Sequence, residues 1–431
     1  MKPAVAPGAF GTRNGLAYGL LGLPLAFVAL PLYVILPNHY AREFGVPLAT
    51  LGAVLLGARL FDALIDPLLG RLSDRLFARS ARAVLGLGAI AALVLALGFA
   101  LLFFPLVSAP SALVVWASLM LMLTYAGYSA LSVSHQSWGA MLGGDERQRS
   151  RIVAWREGLG LVGVVLASIT PVVFGLPAST ALFFVALTVG WLAWTRADRP
   201  VPQHAPAGFH AATSIWLPFR QPGFRRLLAV FLLNGTASAV PATLVLFFIQ
   251  DRLQAPPSQE PLFLGSYFVS AALSIPLWLA LVKRFGLAPT WLLGMVLAIA
   301  TFGWATQIAA GDTVAFVIVC ALSGIALGTD LALPGALLAG VIQANGQSGR
   351  AEGAYFGWWN FAIKLNLALA AGLALPLLSL FGYAPGARDA QALNALLVAY
   401  CVLPCLLKLA AAACLYFFVI QHPSEPEKAT P

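Results

Sequence analysis

Charge is what this chain has least of: Asp, Glu, Lys and Arg make up 10% of its 431 residues, and only 16 of those residues are acidic. So thin a layer of charge cannot solvate a water-soluble domain of this size. With 60% of the residues hydrophobic and a mean hydropathy of +0.87, the composition falls outside the soluble range. Cysteine is scarce too. Cys320, Cys401, Cys405 and Cys414 all lie inside apolar runs, which argues against a disulfide framework and against a thiolate metal centre. There is no H-E-x-x-H pair, no nucleophile elbow and no Gly-rich phosphate loop, and the connections between apolar runs are too short to hold a catalytic domain. An enzyme is therefore not expected, and a membrane-embedded enzyme or a non-transporting sensor is kept only as a reading from a different class.

What the chain has in abundance is long apolar runs. Read as spans of about 20 residues, they fall at approximately 15–37, 46–69, 83–106, 110–141, 153–175, 178–195, 225–250, 260–282, 289–310, 313–342, 353–382 and 391–420. The expected fold class is all-α integral membrane, with twelve transmembrane helices. The net charge of +9 alternates with topology and does not gather on one face. Arg71, Arg75, Arg79, Arg82, Arg147, Arg149, Arg151, Arg225 and Arg226 fall on the side of the N terminus, and only Arg42, Arg252 and Arg388 fall opposite. By the positive-inside rule both termini are expected in the cytoplasm, and no nucleic-acid partner is implied. Met1 to Asn14 is short and polar and is followed by a full-length span, so the first span is expected to act as the signal anchor.

The longest polar interruption, Thr195 to Arg226, has six spans before it and six after. It divides the chain into a six-helix bundle at 1–195, a cytoplasmic linker at 196–226 and a second bundle at 227–431 ending in a short cytoplasmic tail. In transporters built from two such bundles, substrate sits between the halves near the midplane.

Asp62 and Asp66 lie four residues apart within the second run. A carboxylate at a bilayer centre costs roughly 2.5–3.5 kcal/mol on insertion scales, so neither should face lipid. At i and i+4 the two leave one helix face and repel unless a cation or a proton sits between them. Arg59, three residues before Asp62, lies on the same side. The set reads either as a site for Na⁺, Li⁺ or H⁺, or as an Arg/Asp/Asp network that pins helices together.

Other polar groups at membrane depth each carry two readings. Arg156, beside Glu157, suits bidentate contact with an oxygen-rich substrate, or is a helix-end Arg that snorkels. Asp330, before Pro334, is a substrate contact beside a broken helix, or a locally satisfied hinge residue. Lys364, preceded by Trp358, Trp359 and Asn360, supplies a positive charge that competes for the carboxylates of span two, or a donor to substrate; Trp359 is placed among the substrate contacts. Ser134, His135 and Trp138 form a polar patch with an aromatic on span four, suited to a flat ligand or to helix packing. Lys408 has no evident partner in the sequence and is left outside the site. Between spans two and three, Gly70, Asp74 and Arg75 form a short turn able to latch neighbouring helices in one conformation, or a solvated topogenic loop.

The run Arg59-Leu60-Phe61-Asp62-Ala63-Leu64-Ile65-Asp66-Pro67 with Gly70, together with Trp138, Arg156, Gly328 to Pro334 and Gly353 to Lys364, resembles the glycoside-pentoside-hexuronide:cation symporter family of the major facilitator superfamily, the melibiose permease-like group. The turn after span two is similar to the superfamily's motif at that place. The resemblance implies two pseudo-symmetric six-helix bundles that alternate their access. It implies the coupling ion, Na⁺ or H⁺, at Asp62 and Asp66, with Lys364 and Arg59 in the network, and Trp138 and Arg156 lining a sugar pocket. No cofactor is implied, nor any metal beyond that ion. The chain departs from the family where acidic residues on spans one and four grip sugar hydroxyls: near Ala26 and Ser134 it has no carboxylate.

The reading that results is cation-coupled symport of a small, sugar-like organic solute by a monomer in the cell's inner membrane. The alternative within transport is an amphipathic or lysolipid-like substrate, favoured by the apolar first span.

Overall fold

A computed structural model describes residues 10–200, 214–383 and 386–421, whose regular elements are all helical. The first run is broken into α1 (Thr12–Gly19), α2 (Gly22–Phe27), a π-helical turn at Pro31–Ile35 and α3 (Leu36–Glu43). Pro24, Pro31 and Pro37 each remove an N–H from the ladder there, so regular α pairing is repeatedly interrupted. Then follow α4 (Leu48–Arg79), α5 (Ala81–Phe103), α6 (Pro110–Met141), α7 (Glu146–Thr195), α8 (Leu217–Arg220), α9 (Pro222–Phe247), α10 (Glu260–Phe285), α11 (Leu287–Ala305), α12 (Thr313–Ala344), α13 (Glu352–Leu380), α14 (Ala390–Leu397) and α15 (Leu403–Leu415), with a π turn at Val398–Val402 between the last two.

By length and apolar composition, nine helices of the described residues can cross a membrane. α7 supplies two of them, since Gly175 (φ 81°) breaks it at a left-handed position that a side chain would strain. Its N terminus is held by the Asp145 carboxylate, which accepts from the Gln148 N–H at 2.8 Å. α4 is long enough at 32 residues, but Arg59, Asp62 and Asp66 interrupt its apolar run. α12 runs unbroken through Pro334, where the sequence reading expected a broken helix. The missing Pro N–H falls opposite the carbonyl of Asp330, four residues back, and the bundle tolerates the loss without opening the helix.

The chain forms two compact units. Unit 1 comprises Met1–Pro218 and Asn345–Phe361; unit 2 comprises Phe219–Ala344 and Ala362–Pro431. In unit 1, α5 packs on α6, α4 on α6, and α1 and α2 on α7. In unit 2, α12 packs on α10 and α11, and α15 on α9 and α11. One boundary between the units falls at Pro218–Phe219, and the first part of the eleventh run joins unit 1. Small residues cause this: Gly70 lies against the backbone of Gly353, and Gly357 against that of Asp66 and Pro67. A methyl at any of these glycines would press into a carbonyl. Trp358 completes the attachment by donating its indole N–H to the Ile215 carbonyl at 2.7 Å and packing on Trp216.

Candidate functional site

α4 has two unlike faces. Leu56, Leu60, Leu64 and Leu68, spaced by four, point outward, with Leu64 66% exposed, while Ala58, Asp62 and Asp66 point inward, with Asp66 0% and Asp62 2% exposed. A helical step of two residues turns the side chain through about 200°, so the leucine stripe meets lipid only because the carboxylates meet protein. The inner face packs on α6, where the Ser129 hydroxyl donates to Asp62 Oδ1 at 2.7 Å. Two carboxylates and a hydroxyl form a hard-oxygen donor set, suited to a monovalent alkali cation or a proton and unsuited to soft thiophilic metals. Arg59 lies half-buried on the same helix.

About two turns further along α6 from Ser129, Gln136 donates to Ser132 Oγ at 2.8 Å and to Asn360 Oδ1 at 3.1 Å, linking α6 to the start of α13. Trp359, 3% exposed, lies beside Asn360 in the same segment. The remaining span-four candidates are turned into the packing of unit 1. Ser134 and His135 are fully buried; His135 stacks on Tyr18 with 4.3 Å between ring centroids, and its Nε2 is paired with the Tyr18 carbonyl at 2.8 Å. Trp138, also fully buried, donates its N–H to the Asp198 carbonyl at 2.9 Å and packs on Trp194 and Phe77. Of the two readings offered for His135 and Trp138, the geometry is that of helix packing. Arg156 is paired with Glu157 on its own helix, with Nε at 2.9 Å from Oε1.

At the end of α4, Asp74 accepts from the N–H groups of Gly353 at 2.6 Å and Ala354 at 2.8 Å. It thus caps the N terminus of α13, where the helix dipole favours an anion. Glu352 sits at the same terminus and accepts from Gly349 N at 2.6 Å and Arg350 N at 3.1 Å. Arg75 is exposed. Both carboxyls lie outside the apolar runs and both are buried. Burial, then the Glu352 charge, hold Asp74 well above the carboxylate range despite its two N–H donors. Burial pushes Glu352 up to about 7 from an ordinary 4.5, against the backbone N–H groups of Gly349 to Glu352. Because burial raises these pKa values, the folded arrangement is favoured with the carboxyls neutral: that stability is fully present below the ordinary value and is lost as pH rises through the raised one. From Glu352 the change is on the order of 3 kcal/mol. The protection of the first-turn amides of α13, taken relative to their base-catalysed intrinsic exchange, is therefore expected to be greater at pH 5 than at pH 8, and Glu352→Gln should flatten that dependence. A pH-independent protection factor in the wild type would contradict it.

Asp330 belongs to unit 2 and is not isolated. Its Oδ1 accepts from Asn234 at 2.9 Å and from Trp291 at 2.8 Å; its Oδ2 accepts from Ser238 at 3.1 Å and from Lys408 Nζ at 3.0 Å. This corrects the reading of Lys408 as lacking a partner: it forms an ion pair with Asp330 and also donates to Asn234 Oδ1 and Ser238 Oγ. A buried ammonium has to find oxygens, and span ten supplies them. Lys364 also lies in unit 2, half-buried.

The model of the MFS/sugar transport protein family matches residues 15–422. The chain belongs to this family. It is a membrane transporter with the major facilitator fold, and it is not an enzyme. An uncharacterized symporter of Bacillus subtilis is 25% identical over 394 residues, covering 85% of this chain and 84% of the relative. A proposed sulfoquinovose importer of Salmonella typhimurium is 25% identical over 444 residues, covering 94% and 89%. Among solved structures, the Escherichia coli fucose:proton symporter aligns with a TM-score of 0.70 at 14% identity, covering 95% of this chain and 99% of that one. A bacterial homologue of the iron transporter ferroportin in the outward-facing state aligns at 0.68 and 17% identity, covering 94% and 98%. At such identities the two structures bear on the fold alone.

Proposed function

We propose that this chain carries a sugar-like solute across the inner membrane together with Na⁺ or H⁺, and that Asp62 and Asp66 bind the ion. The observation that carries the reading is the inward carboxylate face of α4, buried opposite a lipid-facing leucine stripe and completed by the Ser129 hydroxyl. The family and the names of the relatives, a symporter and a sulfoquinovose importer, support a sugar-like substrate. The span-two motif supports placing the chain in the melibiose permease-like branch of the family. Asp62 and Asp66 neutralised by an ion differ electrostatically from the bare pair, so the ion shifts the conformational equilibrium by its differential affinity for the two states. Gln136 and Asn360, bonded between α6 and α13, with Trp359 beside them in sequence, are preferred as substrate contacts over His135 and Trp138, which are turned into packing. Gly70 and Asp74 act as a latch that is closed while Asp74 caps α13 and opens when access alternates, with Arg75 at its exposed edge.

The testing experiment is a panel of monosaccharides and anionic sugars, taken up by proteoliposomes under an imposed Na⁺ or H⁺ gradient. One of the two gradients is expected to drive accumulation of at least one sugar. Uptake indifferent to both gradients, or restricted to lipid-like solutes, would contradict the reading.

A further inference from the structure

Unit 2 contains a partly open cavity of about 160 Å³ among α9, α10, α11, α12 and α15. Most of its wall is apolar, built from Phe263, Phe268 and Phe302 with small residues of α9 and α12, and one end is formed by Ser238, Asp330 and Lys408. That end is electrostatically closed. Lys408 spends its donors on Asn234, Ser238 and Asp330, and each Asp330 oxygen already accepts twice. A charged ligand would have to break this pair and leave a buried ion behind, so the cavity selects neutral molecules.

Two further polar groups line the same space. Tyr267 comes from α10 and Tyr400 from the π turn before α15; Tyr400 is 4% exposed, and its ring is fixed by stacking on Phe248 at 4.2 Å. Neither phenol makes a hydrogen bond among the described residues. Both hydroxyls open onto the pocket from an apolar wall, where a ligand that hydrogen-bonds one of them gains orientation as well as affinity.

We propose that this cavity is a binding site for a neutral, ring-bearing alcohol, its hydroxyl bonded to Tyr267 or Tyr400 and its ring against the phenylalanines. Every residue of the site belongs to unit 2, and none is part of the carboxylate pair on α4. Occupancy wedges α9, α10 and α15 apart at fixed spacing and so restrains their movement during transport.

The test is calorimetric titration of the purified, detergent-solubilised protein with 2-naphthol, alongside 2-methylnaphthalene, which lacks the hydroxyl, and naphthalene-2-sulfonate, which is anionic. Saturable binding of 2-naphthol is expected, roughly tenfold weaker in the Tyr267→Phe/Tyr400→Phe double variant, which keeps the packing and removes the hydroxyls. Ala326→Phe, which fills the space, should abolish it. Unchanged affinity in the double variant, binding of the sulfonate as tight as that of the alcohol, or no saturable component above that of the micelle would each overturn the proposal. No ion gradient is involved, so the outcome is independent of the transport assay.

Discussion

Asp62→Asn and Asp66→Asn each lower gradient-driven accumulation by about 100-fold, near the upper end of ordinary coupling energies, while exchange of substrate down its own gradient persists. The amide keeps the shape of the side chain, and at position 62 it keeps an acceptor for the Ser129 hydroxyl, so the helix contact survives. What is lost is the charge that makes an ion's binding free energy differ between conformations. Proteoliposome uptake with and without Na⁺, at two pH values, separates accumulation from exchange. Loss in only one of the two variants would make the other carboxylate a structural partner.

Lys408→Met lowers the stability of unit 2 by about 3–5 kcal/mol, because it leaves the Asp330 carboxylate charged and buried with only neutral donors. The pair is 8% and 14% exposed at the side chains, so solvent rescues little. Adding Asp330→Asn removes the stranded charge and should recover most of the loss, although the Met side chain cannot replace the bonds to Asn234 and Ser238. Thermal unfolding in detergent checks both halves. A double variant no better than Lys408→Met would mean that the lysine stabilises through packing and not through pairing.

The contrast between these two sites shows what a single sequence carries. Asp62 and Asp66 were legible because both lie on one helix, where a spacing of four fixes a shared face and lipid fixes which face that is. The apolar runs were legible for the same reason, since a span must satisfy its own backbone. The Asp330–Lys408 pair joins residues 78 positions apart on different helices, and no local period encodes that. One signal was present: within the second half, one acid, Asp330, and two bases, Lys364 and Lys408, lie at membrane depth, and a buried acid needs one of them as its opposite charge. Ser129 was hidden among Ser118, Ser132, Ser134 and Ser137 on one long helix, because a serine's spacing does not reveal which face meets the carboxylates. His135 and Trp138 misdirected the reading in the opposite sense. Clustered polarity looked like a pocket, but the carbonyls of Tyr18 and Asp198, far away in sequence, pair His135 Nε2 and the Trp138 N–H inside the bundle, while Ser134 Oγ, His135 Nδ1 and Ser137 Oγ are buried without a hydrogen bond among the described residues. The attachment of Asn345–Phe361 to unit 1 rests on glycine contacts and on Asp74, and only the three-dimensional path of α13 reveals it.

The central claim is that the buried carboxylates of α4 hold the transported ion, and equilibrium ion binding to the purified protein addresses it without any substrate. Wild type should either bind radioactive Na⁺ saturably or take up a proton that titrates in the working pH range, and Asp62→Asn and Asp66→Asn should remove that single event while the unfolding profile is kept. An ion isotherm or proton uptake that is identical in wild type and in both variants would contradict the account.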